Sequence, residues 1–186
     1  MPIKVYPLTK PAIPGAIDVI QQSFAEDPYF RWVFDRRDFN KARNYGSLEA
    51  RCLGVLGMLF SMLLWRKMEM HIQVQPELWY SWAQSWLLWF RQGLNNLQHG
   101  GRGGLNVRRY YIWKDRQAEA QKSIWDDERG YYFCNIVAVR PDAQGRGVGK
   151  MLFEEVMRVA DQEGMRCYLE SSRNEPNVGI YERLGF

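Results

Sequence analysis

Residues 144–150 read Gln-Gly-Arg-Gly-Val-Gly-Lys, three glycines at alternate positions, and few local patterns restrict a chain more. Glycine reaches backbone conformations closed to other residues and carries no Cβ to obstruct a close neighbour. What flanks the turn sets its context. On its N-terminal side Tyr131–Arg140, YYFCNIVAVR, is aromatic, β-branched and almost uncharged, the composition of a strand buried on both faces, and Pro141-Asp142 ends it. On its C-terminal side Val148, Met151, Leu152, Val156 and Val159 recur at helical spacing to about Gln162, and Gly164 closes the helix. Arg166–Ser171, RCYLES, reads as another strand, and Glu175-Pro176 opens a last helix to about Leu184. Strand, glycine turn, helix, strand, helix is an α/β unit with a right-handed crossover.

A glycine turn at a strand-to-helix junction has a chemical use. A helix start leaves about four N–H groups without partners, and the aligned peptide dipoles add roughly half a positive charge there. Small residues in the preceding loop let several amides converge on one phosphate. Gly145, Gly147 and Gly149 remove the Cβ atoms that would hold a pyrophosphate off, and Arg146 and Lys150 add cationic charge. A ligand-free glycine connection is the alternative. A Walker A loop does not fit, because Met151 follows Gly149-Lys150 where a hydroxyl is required and Gln144 stands where the first glycine belongs. A dinucleotide fingerprint fails on glycine spacing.

The rest of the chain is less specific. Ile3, Val5 and Leu8 predict a short opening strand stopped by Pro7 and Pro11. Ile13, Ile17, Ile20 and Phe24 predict a helix that Asp27-Pro28 ends, and a second helix is expected from Asp38, as N-cap, to about Gly54. The apolar run Cys52–Trp65 is too short for a membrane span, which needs about 20 residues, so it reads as a buried helix or strand. Met68–Val74 offers one strand. Trp79, Trp82, Trp86 and Trp89 step by three, four and three onto one helical face after Pro76, a stripe expected to pack on the body of the domain. His99–Gly104 reads as a flexible loop and Lys114 to Trp125 as a further helix.

Length and composition narrow the class. One hundred and eighty-six residues suit a single domain. Lys and Arg exceed Asp and Glu by 25 to 21, mildly basic and suited to an anionic ligand. Three cysteines without a Cys-x-x-Cys, and two histidines, argue against a metal site or a disulfide framework. They favour a reducing compartment, the cytoplasm, without excluding the nucleus. No secretory signal or membrane span is expected.

The turn, read as Gln144-x-x-Gly147-x-Gly149, resembles the pyrophosphate-binding motif of the GNAT superfamily of acetyltransferases. Ile136–Pro141 is similar to that family's fourth strand, and Asn177-x-x-x-Tyr181-x-x-x-Gly185-Phe186 to its ending. The resemblance implies a GNAT-like acyl-CoA N-acyltransferase fold: a central mixed α+β sheet, its fourth and fifth strands splayed, flanked by helices. It implies one domain over 1–186, with 75–130 a helical insertion and with the family's final strands not reached, so that the domain's end is truncated. The edge of 166–171 would then be exposed, an association hazard that leaves a homodimer open.

It also implies acetyl-CoA as co-substrate, no metal, and transfer of the acetyl group to an amine of a small molecule or protein, the acceptor unidentified. The cofactor-binding residues would be Gln144, Gly145, Arg146, Gly147, Val148, Gly149 and Lys150 at the diphosphate. Backbone amides of Val137 and Val139 would serve the pantetheine and thioester oxygen, and Asn177 the pantetheine arm. Tyr181 matches the general acid; packing its ring in a core is its alternative role. Glu170, beside the expected splay, is the candidate base, with an edge charge or a partner for Arg166 or Arg173 as its alternative. Two rival functions remain: a CoA-binding, catalytically weak relative acting as an interaction module, and a nucleic-acid binder built on Arg102, Arg108, Arg109, Tyr110 and Tyr111. Nearby Asp115, Glu119, Asp126, Asp127 and Glu128 dilute the field that the second would need, so no nucleic acid is expected.

Overall fold

In the computed structural model, which describes residues 5–56 apart from Pro7, 65–68, and 76–186 apart from Asp126 and Glu128, the glycine turn joins a buried strand to an amphipathic helix. Strand β2 (Tyr131–Cys134) is buried throughout. It pairs antiparallel with β1 (Trp65–Met68) and parallel with β3 (Cys167–Leu169), so the sheet of the described residues has order β1-β2-β3. Alternate side chains serve its two faces. Tyr132 and Cys134 meet Phe153, Val156 and Ala160 of α6 (Val148–Glu163), with Met165 closing the cluster. On the other face Phe133 stacks on Tyr168 at 5.5 Å between centroids. Burial of each such side chain contributes roughly 1.5–3 kcal/mol.

Both strands are shorter than the composition predicts. Pairing between β2 and β3 ends at Cys134↔Leu169, and residues 135–140 are in no strand. Their backbone turns to other partners: the Val139 carbonyl accepts from Ser23 Oγ and from Gln144 Nε2, each at 3.1 Å. β1 takes up only the start of the expected Met68–Val74 strand, whose remainder lies outside the described residues. The expected opening strand does not form at Val5, Tyr6, Leu8 or Thr9; its other residues lie outside those described. The last helix, α7, is Asn177–Glu182.

The N-terminal layer follows its periodicity. α1 (Ile13–Ser23) buries Ile13, Ile17 and Ile20, and Cys52 of α3 (Lys41–Leu56) joins that cluster. Asp27 ends one helix and starts the next: its Oδ1 accepts from the amides of Tyr29 and Phe30 at 2.9 and 3.2 Å, capping α2 (Pro28–Val33). The cap of α3 is Asn40 rather than Asp38, its Oδ1 accepting from Arg43 N at 2.9 Å. Helix α5 (Val107–Ile124) begins seven residues before the expected Lys114, because Asn106 caps it through Arg109 N at 3.1 Å. The aromatic run Tyr110-Tyr111-Ile112-Trp113 hides that start.

Helix α4 (Pro76–Gln98) lies along α3: Asn95 Nδ2 donates to the Arg43 carbonyl at 2.8 Å and Gln92 Nε2 to the Ser47 carbonyl at 3.0 Å. Those polar contacts belong to its C-terminal half. The tryptophan stripe does not pack inward where it is described, Trp86 and Trp89 being 53% and 68% exposed, with Phe90 and Leu97 exposed beside them. The 99–104 loop is also less free than its glycines imply. Asp35 N donates to the Gly104 carbonyl at 2.8 Å, and a Cβ on Gly104 would meet the Asp35 carbonyl at 2.8 Å, so only glycine fits.

Candidate functional site

Where β2 and β3 stop pairing, a cavity of about 1380 Å³ opens, bounded by residues 133–139, by 168–173, by the end of α1 and by the start of α6. The junction of α1 and α2 closes it from one side. Ser23 is fixed to Val139, while the buried Asp27 turns its second oxygen to Ser172 Oγ and lies 4.0 Å from Arg173 Nε. Arg173 Nη2 donates to the Glu26 carbonyl at 2.7 Å. The N-terminal layer thus holds both chain segments that follow the strands.

The glycine turn forms one end of the cavity. After a short 3₁₀ turn, Pro141–Ala143, Gly145 and Gly147 adopt φ of 73° and 79°, the left-handed region. No other atom lies within 4 Å of where their Cβ atoms would be, so packing within the protein does not demand glycine there; conformation and the open space do. Gln144 ties the turn to Val139, and a Cβ on Gly149 would make an ordinary contact with the Val139 side chain, 3.7 Å from Cγ2. The first backbone bond of α6 runs from Met151 N to the Gly147 carbonyl at 3.1 Å. The amides of Gly145 through Lys150 therefore have no acceptor among the described residues, an arrangement ready to bind an anion. Arg146 has no ion-pair partner among the described residues, and Lys150 lies 3.4 Å from Glu154 on an exposed turn of helix, a contact worth little. Gln144, Gly145, Gly147, Val148 and Gly149 line the cavity, as do Val137, Val139, Glu170, Asn177 and Tyr181; Arg146 and Lys150 do not.

Tyr181 lies half-buried against Phe153, ring centroids 5.6 Å apart, with its hydroxyl in no hydrogen bond among the described residues. Burial, and then the neighbouring Cys134 thiol, raise its pKa above the ordinary phenol value. Cys134 is itself pushed up to about 12 by burial and by Cys167, so it stays a protonated, unreactive thiol. Asn177 Nδ2 donates to Ser171 Oγ at 3.0 Å rather than capping α7. Glu170 accepts from Gln117 Nε2 at 2.7 Å and from the Tyr168 hydroxyl at 3.0 Å. It pairs with neither Arg166 nor Arg173, the alternatives its sequence position offered. Burial, and then the neighbouring Glu170 carboxylate, hold the Tyr168 phenol well above its usual range.

Sequence reasoning missed Gln117, Tyr168, Asp27 and Ser172. Nothing in the sequence marks Gln117 as a partner of a residue 53 positions away, and Asp27 before proline carries only the signal of a helix boundary. No group of three or more His, Cys, Asp or Glu able to hold a metal occurs among the described residues. No helix among them is long and apolar enough to cross a membrane.

Comparison with known proteins agrees with this geometry. Residues 108–186 match the acetyltransferase (GNAT) family, from the first turn of α5 to Phe186. An uncharacterized N-acetyltransferase of Schizosaccharomyces pombe is 37% identical over 75 residues, 40% of this chain and 29% of the relative. The chain thus spans less than a third of that relative's length.

Proposed function

We propose that the protein transfers the acetyl group of acetyl-CoA to an amine. The observation that carries this reading is the run of amides from Gly145 to Lys150, without acceptors among the described residues, in the turn that forms one end of the cavity. The diphosphate of acetyl-CoA seats on these amides, with Arg146 and Lys150 adding charge at the rim. The pantetheine arm follows Asn177 and the segment 135–139, beyond the last β2–β3 pair, Cys134↔Leu169. There the Val137 and Val139 amides serve the thioester oxygen. One such donor is worth roughly 3–4 kcal/mol in other acyl transfers.

Glu170 takes a proton from the incoming ammonium, directly or through one water. Only about a thousandth of an alkyl amine is neutral at pH 7.4, which costs about 4 kcal/mol without a base. The amine nitrogen then bonds to the carbonyl carbon, the carbon–sulfur bond breaks, the departing thiolate receives the Tyr181 phenol proton, and the nitrogen gives up its second proton to the resulting phenolate, directly or through water, leaving the neutral amide. A phenol that burial keeps protonated is in the right state for that role. Titration with acetyl-CoA, followed by thiol release over a panel of amines, tests the reading: tight binding with amine-dependent release is expected, and absence of binding at tens of micromolar overturns it.

The exposed apolar side of α4, with Trp86, Trp89, Phe90 and Leu97, favours a second reading, a CoA-binding module of weak activity acting through partners. Binding without release of thiol by any amine would select it.

A further inference from the structure

Six charged side chains line the cavity: Asp27, Arg43, Arg51, Arg116, Glu170 and Arg173. Three are neutralised within the protein. Asp27 is held by amides, Ser172 and Arg173, and Arg116 pairs with Glu119 at 2.9 Å. The other three are not. Among the described residues Glu170 receives hydrogen bonds only from the neutral Gln117 and Tyr168. Arg43 is 5% exposed, yet the fork of its guanidinium rests on a neutral group, Nε and Nη2 donating to Asn96 Oδ1 at 3.0 and 2.8 Å. Arg51, two turns along α3 and on the cavity face with Asn44 and Ser47, has no acidic partner among the described residues. A guanidinium buried without a carboxylate is costly, and an incoming anion relieves that cost. Burial, and then the charges of Arg51 and Arg102, already lower the Arg43 pKa.

The two unneutralised poles stand apart. Arg51 acts on Tyr29; the Tyr29 ring packs on Trp113 at 4.8 Å; Gln117, one turn further along α5, holds Glu170. That helical turn alone spans about 6 Å, and its wall is aromatic, Tyr110, Trp113 and Tyr29 all lining the cavity.

We infer that the cavity takes an acceptor whose amine faces Glu170 and whose own carboxylate or phosphate faces Arg43 and Arg51, with an apolar or aromatic segment between. This rests on the acetyltransferase reading and adds the acceptor's class. The same guanidiniums also suit a phosphate of the acetyl donor, so the test carries an arm for each source.

Acetyl-CoA-dependent thiol release is measured with 4-(aminomethyl)benzoate and with benzylamine, for the wild type and for Arg51→Gln and Arg51→Glu, both at an exposed position. Acetyl-CoA binding is followed separately by calorimetry. In the wild type the carboxylate-bearing amine has a KM at least tenfold lower. Arg51→Gln brings the ratio of the two KM values below threefold, and Arg51→Glu reverses it, with the acetyl-CoA dissociation constant within threefold throughout. A ratio near one in the wild type, or one that the variants leave unchanged, overturns the inference while the acetyltransferase reading stands. A large loss of acetyl-CoA affinity in Arg51→Gln assigns the anion to the donor and overturns it too. No acetyl-CoA binding by the wild type removes the reading beneath it.

Discussion

Replacing Glu170 by glutamine removes one negative charge and keeps the side chain's length. The carboxylate accepts from Gln117 Nε2 at 2.7 Å and from Tyr168 at 3.0 Å. In Glu170→Gln, the new amide oxygen can still accept from Tyr168, but its NH₂ then confronts that of Gln117. Turning the Gln117 amide over would restore that contact at the expense of its Oε1, which accepts from Lys114 Nζ at 3.0 Å. At most one hydrogen bond is lost, about 1 kcal/mol, because the Tyr168 hydroxyl can also accept from the new NH₂, so the melting temperature falls by no more than roughly 2–4 °C and the protein stays folded. The catalytic loss is larger. A positioned base contributes about 10²–10⁴-fold, and without one the reaction depends on the thousandth of the amine already neutral at pH 7.4. Thiol release under saturating acetyl-CoA should therefore fall at least about 100-fold at pH 7.4. In the variant it should climb about tenfold per pH unit toward the amine's own pKa near 10. A rate within threefold of the wild type, with the same pH slope, refutes Glu170 as the base.

Tyr181→Phe keeps the ring contact with Phe153 and should lower kcat more than tenfold with acetyl-CoA affinity nearly intact; unchanged turnover in the same assay removes Tyr181 from the mechanism. Ser172→Ala deletes the hydroxyl donor to Asp27 and loosens the α1–α2 junction across the cavity, so KM for the amine should rise several-fold with little change in acetyl-CoA affinity, read from steady-state kinetics at saturating donor. Stability should also fall in alkali. Cys134 and Cys167 have folded pKa values raised to about 12 and about 11, above the unfolded value near 8.5. The stabilisation they give is complete below about pH 8.5 and is lost as pH rises toward 11–12. Melting curves from pH 7 to 10.5 check this, and Cys134→Ala should flatten the decline.

The parts of the fold that were legible in advance are those where local chemistry decides. The left-handed glycines at 145, 147 and 164 and the apolar face of α6 are determined within a few residues of one another. The helix starts at Asn40 and Asn106 depend on a single side-chain oxygen each, and Asp38 or a later residue looked as suitable. The length of β2 was not legible because its end depends on where β3 leaves it and on Ser23 reaching the Val139 carbonyl from 116 positions away. The outward face of α4 was misread for a similar reason. Helical spacing puts tryptophans on one side without saying which side faces a neighbour. Of the candidate site, the glycine turn, Tyr181 and Glu170 were visible as residue types in order. Their supports, Gln117, Tyr168 and Asp27, come from other elements and carry no local mark.

The most direct measurement is an amide nuclear magnetic resonance titration of the ¹⁵N-labelled chain with acetyl-CoA, repeated for Gly147→Glu. A side chain at this left-handed position costs about 1–2 kcal/mol, which the helix dipole's preference for negative charge, about 0.3–1 kcal/mol, partly offsets, so the protein stays folded while the carboxylate opposes a diphosphate directly. Saturable shifts centred on the amides of Gly145 to Lys150, and a loss of affinity of about 100-fold or more in the variant, are the predicted result, the charge repulsion at contact distance being several kcal/mol. Binding that leaves those amides unmoved, or an affinity that Gly147→Glu does not change, would contradict it.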